Sequence, residues 1–217
     1  MGRPKAADHG EKRKAILEKS AELFATHGYD RASVAMLARR CGMSKALFYH
    51  YYSEKSEVLF DIIRSHIEDL LAVTDGLTGK HGDDPQRDLL VMSEALLEAY
   101  RTADNKHHVQ INQLHLLPRN RQKTIKDMER QLVDRFSAAI APCVPVEARS
   151  SGLLKPITMS LFGMLNWNYL WFRDQGPLCR RDYAKLAVTM VLEGAQNARV
   201  KALKPGSNIQ LHTARFG

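Results

Sequence analysis

Apolar residues recur along the chain at intervals of three and four, the spacing of amphipathic helices, and no alternating run of useful strand length interrupts them. The spacing predicts a first helix over residues 8–27, with Ile16, Leu17, Ser20, Ala21, Leu23 and Phe24 on its inner face. Gly28, which tolerates a left-handed turn, closes it. Ser33 is placed to cap a short helix over residues 34–41, Gly42 interrupts, and Ser44 is placed to cap a third helix reaching Tyr51. Ser53 is expected to cap a fourth, with Glu54, Ser56 and Glu57 in its first turn. Val58, Leu59, Ile62, Ile63, Ile67, Leu70 and Leu71 carry that helix towards Leu77. Gly76, Gly79, Gly82 and Pro85 mark a loop. Further helices are expected over residues 86–102, 106–117, 120–140, 151–174 and 181–200, punctuated by Pro118, Pro142, Pro145 and Gly176-Pro177. The fold class is therefore all-α. A short basic tail covers residues 1–7, and a frayed tail follows Lys204.

Within this pattern, residues 33–52 read as helix, tight turn, helix. Ala38, four residues before Gly42, lets the second helix approach the first, and Gly42 can take the positive φ that a sharp turn needs. Leu37, Met43 and Phe48 form the apolar wedge between the two. Phe48 and Tyr52, one turn apart, can face a core. The opposite side displays Lys45, Ala46, Leu47, Tyr49, His50 and Tyr51. Two packed helices with a glycine turn are common. A two-turn helix with this much basic and aromatic surface is better suited to phosphates and base edges than to plain solvent. The pair thus reads as a helix-turn-helix whose second helix can enter a major groove.

Composition agrees with a polyanionic partner without naming it. The chain has 217 residues, room for one medium domain or two small ones, with 44% apolar residues and a formal net charge of +8. Excess cations favour polyanions through counterion release, but charge alone does not separate DNA from RNA or an anionic membrane. Cys41, Cys143 and Cys179 are dispersed and odd in number, which argues against a disulfide framework or a zinc site. No signal peptide is visible, and the most apolar stretch, residues 157–172, is interrupted by Asn166 and Asn168. A cytoplasmic protein without a membrane partner is the expectation.

The segment from Ser33 to Leu59 resembles the TetR family signature, with Gly42-Met-Ser-Lys-x-x-x-Tyr49 followed by Tyr52-x-x-Lys55-x-x-x-Leu59. The resemblance is strong over residues 10–60 and extends as helix pattern and length over nearly the whole chain. It implies an N-terminal three-helix helix-turn-helix domain that binds double-stranded operator DNA (residues 1–53) and a C-terminal helical ligand-binding and dimerisation domain (residues 54–204), followed by a flexible tail (205–217). It implies a homodimer built mainly from the last two helices. Lys45 and Ala46 would then approach base edges. Tyr49, His50 and Tyr51 would touch backbone or bases. Lys55 would bind phosphate, and Ser33 would cap its helix and also touch phosphate; Ser44, at the head of the recognition helix, joins this set. Two positions depart from the family: many members have glycine where this chain has Ala46, and Leu47 is apolar where small or polar residues are frequent. We expect Leu47 to meet a thymine methyl. Arg3, in Gly2-Arg3-Pro4-Lys5, is either a minor-groove contact or part of a disordered basic start.

The segment 160–178 is unusually aromatic. Trp167 and Trp171, four apart, would share a helix face, and Gly163 allows close helix approach. Leu186, Ala187, Met190, Val191 and Gly194 repeat the spacing in the next helix, so two helices from each subunit could form a four-helix interface through Gly163, Trp167, Leu186, Met190 and Gly194. The pattern Gly-Met-x-Asn-Trp-x-Tyr-x-Trp-Phe, ending in Gly-Pro-Leu, is similar to the branch of the family that responds to acyl-CoA thioesters and regulates fatty-acid, sterol or aromatic-acid catabolism. Such a ligand needs an apolar tunnel and cations for its phosphates. Met92, Leu96, Tyr100, Leu114, Leu117, Met128, Leu132, Phe136 and Trp171 could line the tunnel, or could simply be core. Arg119, Arg121, Lys123 and Lys126, with Arg173, could take the phosphates, or could be a solvated helix start.

Other chemistries find little support. His107, His108 and His115 lack a fourth donor at a metal-like interval, so no metal is expected and no cofactor beyond the effector. No phosphate-binding glycine loop, nucleophile elbow or zinc-protease motif is present. The alternatives are a drug-responsive regulator of an efflux pump, an architectural DNA-binding protein with no inducer, and an acyl-CoA-handling enzyme. Release of DNA by a hydrophobic amine would mark the first. Equal affinity for any duplex would mark the second, and thioester turnover the third.

Overall fold

The computed structural model describes the backbone of residues 5–198 and the side chains of residues 9–198. Among them are ten α-helices and no strand: α1 (Lys5–His27), α2 (Val34–Cys41), α3 (Lys45–Tyr51), α4 (Lys55–Thr74), α5 (Pro85–Thr102), α6 (Asp104–Gln113), α7 (Arg119–Ile140), α8 (Val146–Ser150), α9 (Leu154–Asn166) and α10 (Arg180–Asn197). Short 3-10 turns follow α6, α7 and α9. Arg3 and the tail after residue 204 lie outside the described residues, and α1 begins three residues before its predicted start.

Two apolar cores hold the helices. The first joins Ile16, Phe24, Leu37, Phe48, Tyr52 and Leu59 from α1 to α4 and recruits Val109 and Ile125 from α6 and α7. The second joins α5, α7, α9 and α10 around Met92, Leu96, Phe136, Leu161 and Val191. α4 threads both, with Val58 to Ile67 in the first and Leu70 in the second. Burial of such side chains, each contributing roughly 1.5–3 kcal/mol, makes α4 a shared structural member of both cores.

Three predicted boundaries need correction. Ser53 does not cap α4: the cap position is Glu54, and the Ser53 N–H donates instead to Glu57 Oε2 at 2.8 Å. Glu54 itself makes no side-chain cap bond. The helix expected to start at Ser151 starts at Leu154, because Ser151 and a left-handed Gly152 (φ 79°) close the separate short α8. At its far end α9 stops at Asn166. The buried Asn168 accepts the Trp171 and Phe172 N–H groups on its carbonyl, at 3.2 and 2.9 Å, and the chain tightens into a 3-10 turn. Trp167 and Trp171 therefore do not share an α-helical face. No helix of the described residues is long and apolar enough to cross a membrane.

Candidate nucleic-acid interface and ligand region

The sequence places each cap of the helix-turn-helix where the chain turns. Ser33 Oγ accepts the Met36 N–H at 3.2 Å, and Ser44 Oγ accepts the Leu47 N–H at 3.1 Å. Each satisfies a donor that has no intrahelical partner. Gly42 sits at φ 73°, ψ 31°, where a Cβ is costly, and its N–H and that of Met43 fold back onto Arg39 and Ala38 carbonyls at 3.0 Å. Leu37 and Phe48 are fully buried between the helices, and Ala38 permits the close approach.

With Phe48 inward, Lys45, Ala46, Leu47, Tyr49 and His50 face solvent, Leu47 and Tyr49 at 47% and 46% exposure. Lys45 Nζ lies 5.7 Å from the Tyr49 ring centre. Tyr51 departs from this face. It is half-buried, stacked on His9 of α1 at 4.9 Å, so its ring braces the helix rather than standing free. Lys55 is turned inward too: its ammonium donates to the Tyr29 carbonyl at 2.7 Å and lies 4.1 Å from the Tyr29 ring centre. The expected phosphate ligand is thus engaged with the loop between α1 and α2.

The end of α3 is fixed to α4 by a network that the sequence reading missed. Tyr52 OH donates to Asp61 Oδ2 at 3.1 Å, and Arg13 Nε donates to Tyr52 OH at 3.0 Å. Arg13 also pairs with Asp61, whose second oxygen accepts from Arg64 at 3.2 Å. Burial pushes the Tyr52 phenol up to about 12, so it stays protonated and can keep donating. A carboxylate amid the apolar run of α4 was the available signal.

In the second core the predicted tunnel is closed. Met92, Leu96, Tyr100, Leu132 and Phe136 are buried against one another, while Leu114, Leu117 and Met128 pack on the first core. The two groups do not converge on one space. Trp171 is half-exposed and meets the Tyr183 ring edge-on at 5.1 Å, and Arg173 stands in an exposed loop beside Asp174 and Gly176. Arg121 is committed to α4. It donates to Ser56 Oγ at 2.7 Å and Glu54 Oε1 at 3.1 Å and lies 3.8 Å from Glu57. Arg119, Lys123 and Lys126 remain exposed.

The polar groups of this half are inside. His66 Nε2 lies 3.3 Å from His107 Nδ1, and His107 Nε2 lies 3.1 Å from the Asn166 carbonyl. Tyr100 stacks on His107 at 3.9 Å and donates to Asn166 Oδ1 at 2.6 Å. Apolar side chains instead point out. Trp167 and Met190 are 55% and 54% exposed, joined by Leu186, Met159 and Leu170. Gly163 and Gly194 lie on the exposed surface with open space above their Cα atoms. Thus Gly163, Trp167, Leu186, Met190 and Gly194 are all at the surface, and Met159 and Leu170 are additions that the spacing did not reveal.

Two family models match, covering the two halves: bacterial regulatory proteins of the tetR family over residues 16–62, and the tetracyclin repressor-like C-terminal domain over residues 82–195. The chain belongs to the TetR family. A TetR-family transcriptional regulator from Bordetella parapertussis 12822 is similar at 30% identity, with a TM-score of 0.77 over 87% of this chain and 98% of that one. An HTH-type transcriptional repressor of Mycobacterium tuberculosis is 35% identical over 75 residues, 33% of this chain. That match spans 40% of the repressor's length. AibR, solved with isovaleryl coenzyme A and operator DNA, shares the fold at 24% identity and a TM-score of 0.67, over 82% of this chain and 97% of its own. The TetR architecture is therefore all-α, with the helix-turn-helix at the N-terminal end and a helical domain after it.

Proposed function

We propose that the chain is a ligand-responsive transcriptional regulator, a repressor that leaves a palindromic operator when a small molecule binds. Residues 1–53 read DNA, and residues 54–204 bind the effector and dimerise. The outward face of α3 carries this reading: Lys45, Leu47, Tyr49 and His50 stand exposed on a helix whose two ends are fixed by Ser44 and by the Tyr52–Asp61 network. A second copy covers the apolar surface of α9 and α10, because tryptophan and methionine side chains this exposed mark a protein contact. Two-fold symmetry then sets two α3 helices in successive major grooves, about 34–36 Å apart. The site of action is the cytoplasm, where operator DNA is accessible.

For the effector we propose an acyl-CoA thioester. Support comes from the aromatic pattern of residues 160–178, from the exposed cations Arg119, Lys123 and Lys126 at the start of α7, and from the isovaleryl coenzyme A complex of AibR. Since the apolar set is closed here, the acyl group must part α5 from α7. That movement reaches α4 through the Arg121 ion pairs, and differential affinity for the parted form shifts the population off DNA.

Fluorescence anisotropy with palindromes near the protein's own gene tests the reading. Preference for one palindrome over scrambled duplex, a steep salt slope, and release by a CoA ester but not the free acid are expected. Equal affinity for all duplexes contradicts the regulator, and indifference to every CoA ester contradicts the effector class. On the preferred operator, Leu47→Ala should lose discrimination at one thymine position; unchanged preference at every base contradicts the methyl contact.

A further inference from the structure

A cleft of about 640 Å3 opens between α1, α4 and the junction of α5 with α6, a size that suits a small organic ligand. Ala21, Leu70, Val73 and Ala99 give it apolar wall, while Lys14, Glu18, Asp69, Arg101, Asp104 and Lys106 bring charges of both signs to its lining. His66 also lines it, fully buried, and its Nδ1 has no hydrogen-bond partner among the described residues.

The protonation of that nitrogen follows from its neighbours. Burial keeps both imidazoles neutral, pushing His107 down to about 4 and His66 to about 3. The Asn166 carbonyl can only accept, so His107 Nε2 carries the hydrogen and His107 Nδ1 is bare. His66 Nε2 must then carry the hydrogen it donates to His107 Nδ1. What remains on His66 is a lone pair at Nδ1, an acceptor with nothing to accept, in a place where an unmade hydrogen bond is expensive.

We propose that this cleft binds a small molecule with an apolar body and a single N–H or O–H donor, which reaches His66 Nδ1 once the side chains enclosing that atom part. The site is separate from the core that the acyl group would open, and its existence does not depend on the effector being a thioester. Its walls come from the DNA-reading head on one side and the second half on the other, where α1 already packs on α6 and Gln113 donates to the Phe24 carbonyl at 2.8 Å, so an occupant braces that existing contact. It thereby adds a second control on the position of α3.

Indole and benzofuran, equal in shape but differing in the N–H, are the probes. Titration of the full-length protein, without DNA, should give indole about tenfold tighter than benzofuran, the value of one hydrogen bond to an otherwise unpaired acceptor. His66→Phe should remove the difference. Val73→Trp, which fills the cleft from a partly exposed position, should abolish binding of both and decides the matter if the His66 variant does not fold. Equal affinities for the two probes, no binding of indole, or indole binding unaffected by Val73→Trp each overturn the site. Operator affinity measured separately reports on the regulator reading alone.

Discussion

The DNA-reading head and the ligand-binding half solve opposite problems with the same helices. The head closes an apolar core around Phe48 and Leu37 and presents Lys45, Tyr49 and His50 outward, while the second half encloses Tyr100, His66 and His107 and leaves Trp167, Leu170 and Met190 on its surface. In the head, polarity outside makes a surface for a charged polymer. In the second half, polarity is enclosed and apolar surface is left outside, the arrangement on which the proposed effector and dimer readings rest. α4 belongs to both cores.

If the head depends on its closed core, Phe48→Ala should cost about 3–5 kcal/mol, because the side chain is fully buried and the space cannot collapse against rigid helices. Denaturant unfolding measures it. A loss under about 1 kcal/mol would mean the head is loosely packed and the contrast is false.

The buried imidazoles predict an acid sensitivity specific to the second half. Their folded values, about 4 for His107 and about 3 for His66, lie below the ordinary 6.5 because burial disfavours the charged form; His107 and Lys106 add repulsion at His66, and at His107 the Asn166 carbonyl opposes the shift while His108 adds to it. The unfolded chain therefore binds more protons below pH 6.5. Stability from this pair is complete above 6.5 and falls as the pH drops towards the folded values, by about 2 kcal/mol per histidine at pH 5. Thermal melts between pH 7.5 and 5 should show the decline, and His66→Phe should flatten it. A flat profile in the native chain means the pair titrates as in water.

A smaller effect separates local from long-range control in the head. Ser44→Ala removes one cap and should cost about 1 kcal/mol, with Ser44→Asp recovering most of it. Equal stability of Ser44→Ala and the native chain would place the definition of α3 wholly in its packing.

What the chain disclosed from its sequence follows the same division. The head was legible because its instructions are local: Ser33, Gly42 and Ser44 act within four residues of where they stand, and the period of α1 and α4 named their buried faces. The ends of α9 were not, because Gly152 and Asn168 act through a backbone turn and a buried polar contact that no spacing reports. Arg121 illustrates the limit for sites. Its sequence neighbours suggested a phosphate cluster, whereas its partners Glu54 and Glu57 come from α4, far away in the chain. His66 was overlooked because it occupies an inward position of a helix whose other buried residues are mostly isoleucine, leucine and valine. Its meaning depends on His107 and Asn166, which only the fold brings near.

The most direct test replaces the outward face of α3 while leaving its inward face intact. Lys45→Ala combined with Tyr49→Ala should leave the unfolding midpoint nearly unchanged, since both side chains are exposed. Anisotropy should then show affinity for the preferred palindrome falling by at least about tenfold, towards that for scrambled duplex. If the doubly substituted protein, still folded, holds the palindrome as tightly as the native chain, α3 is not the surface that reads DNA.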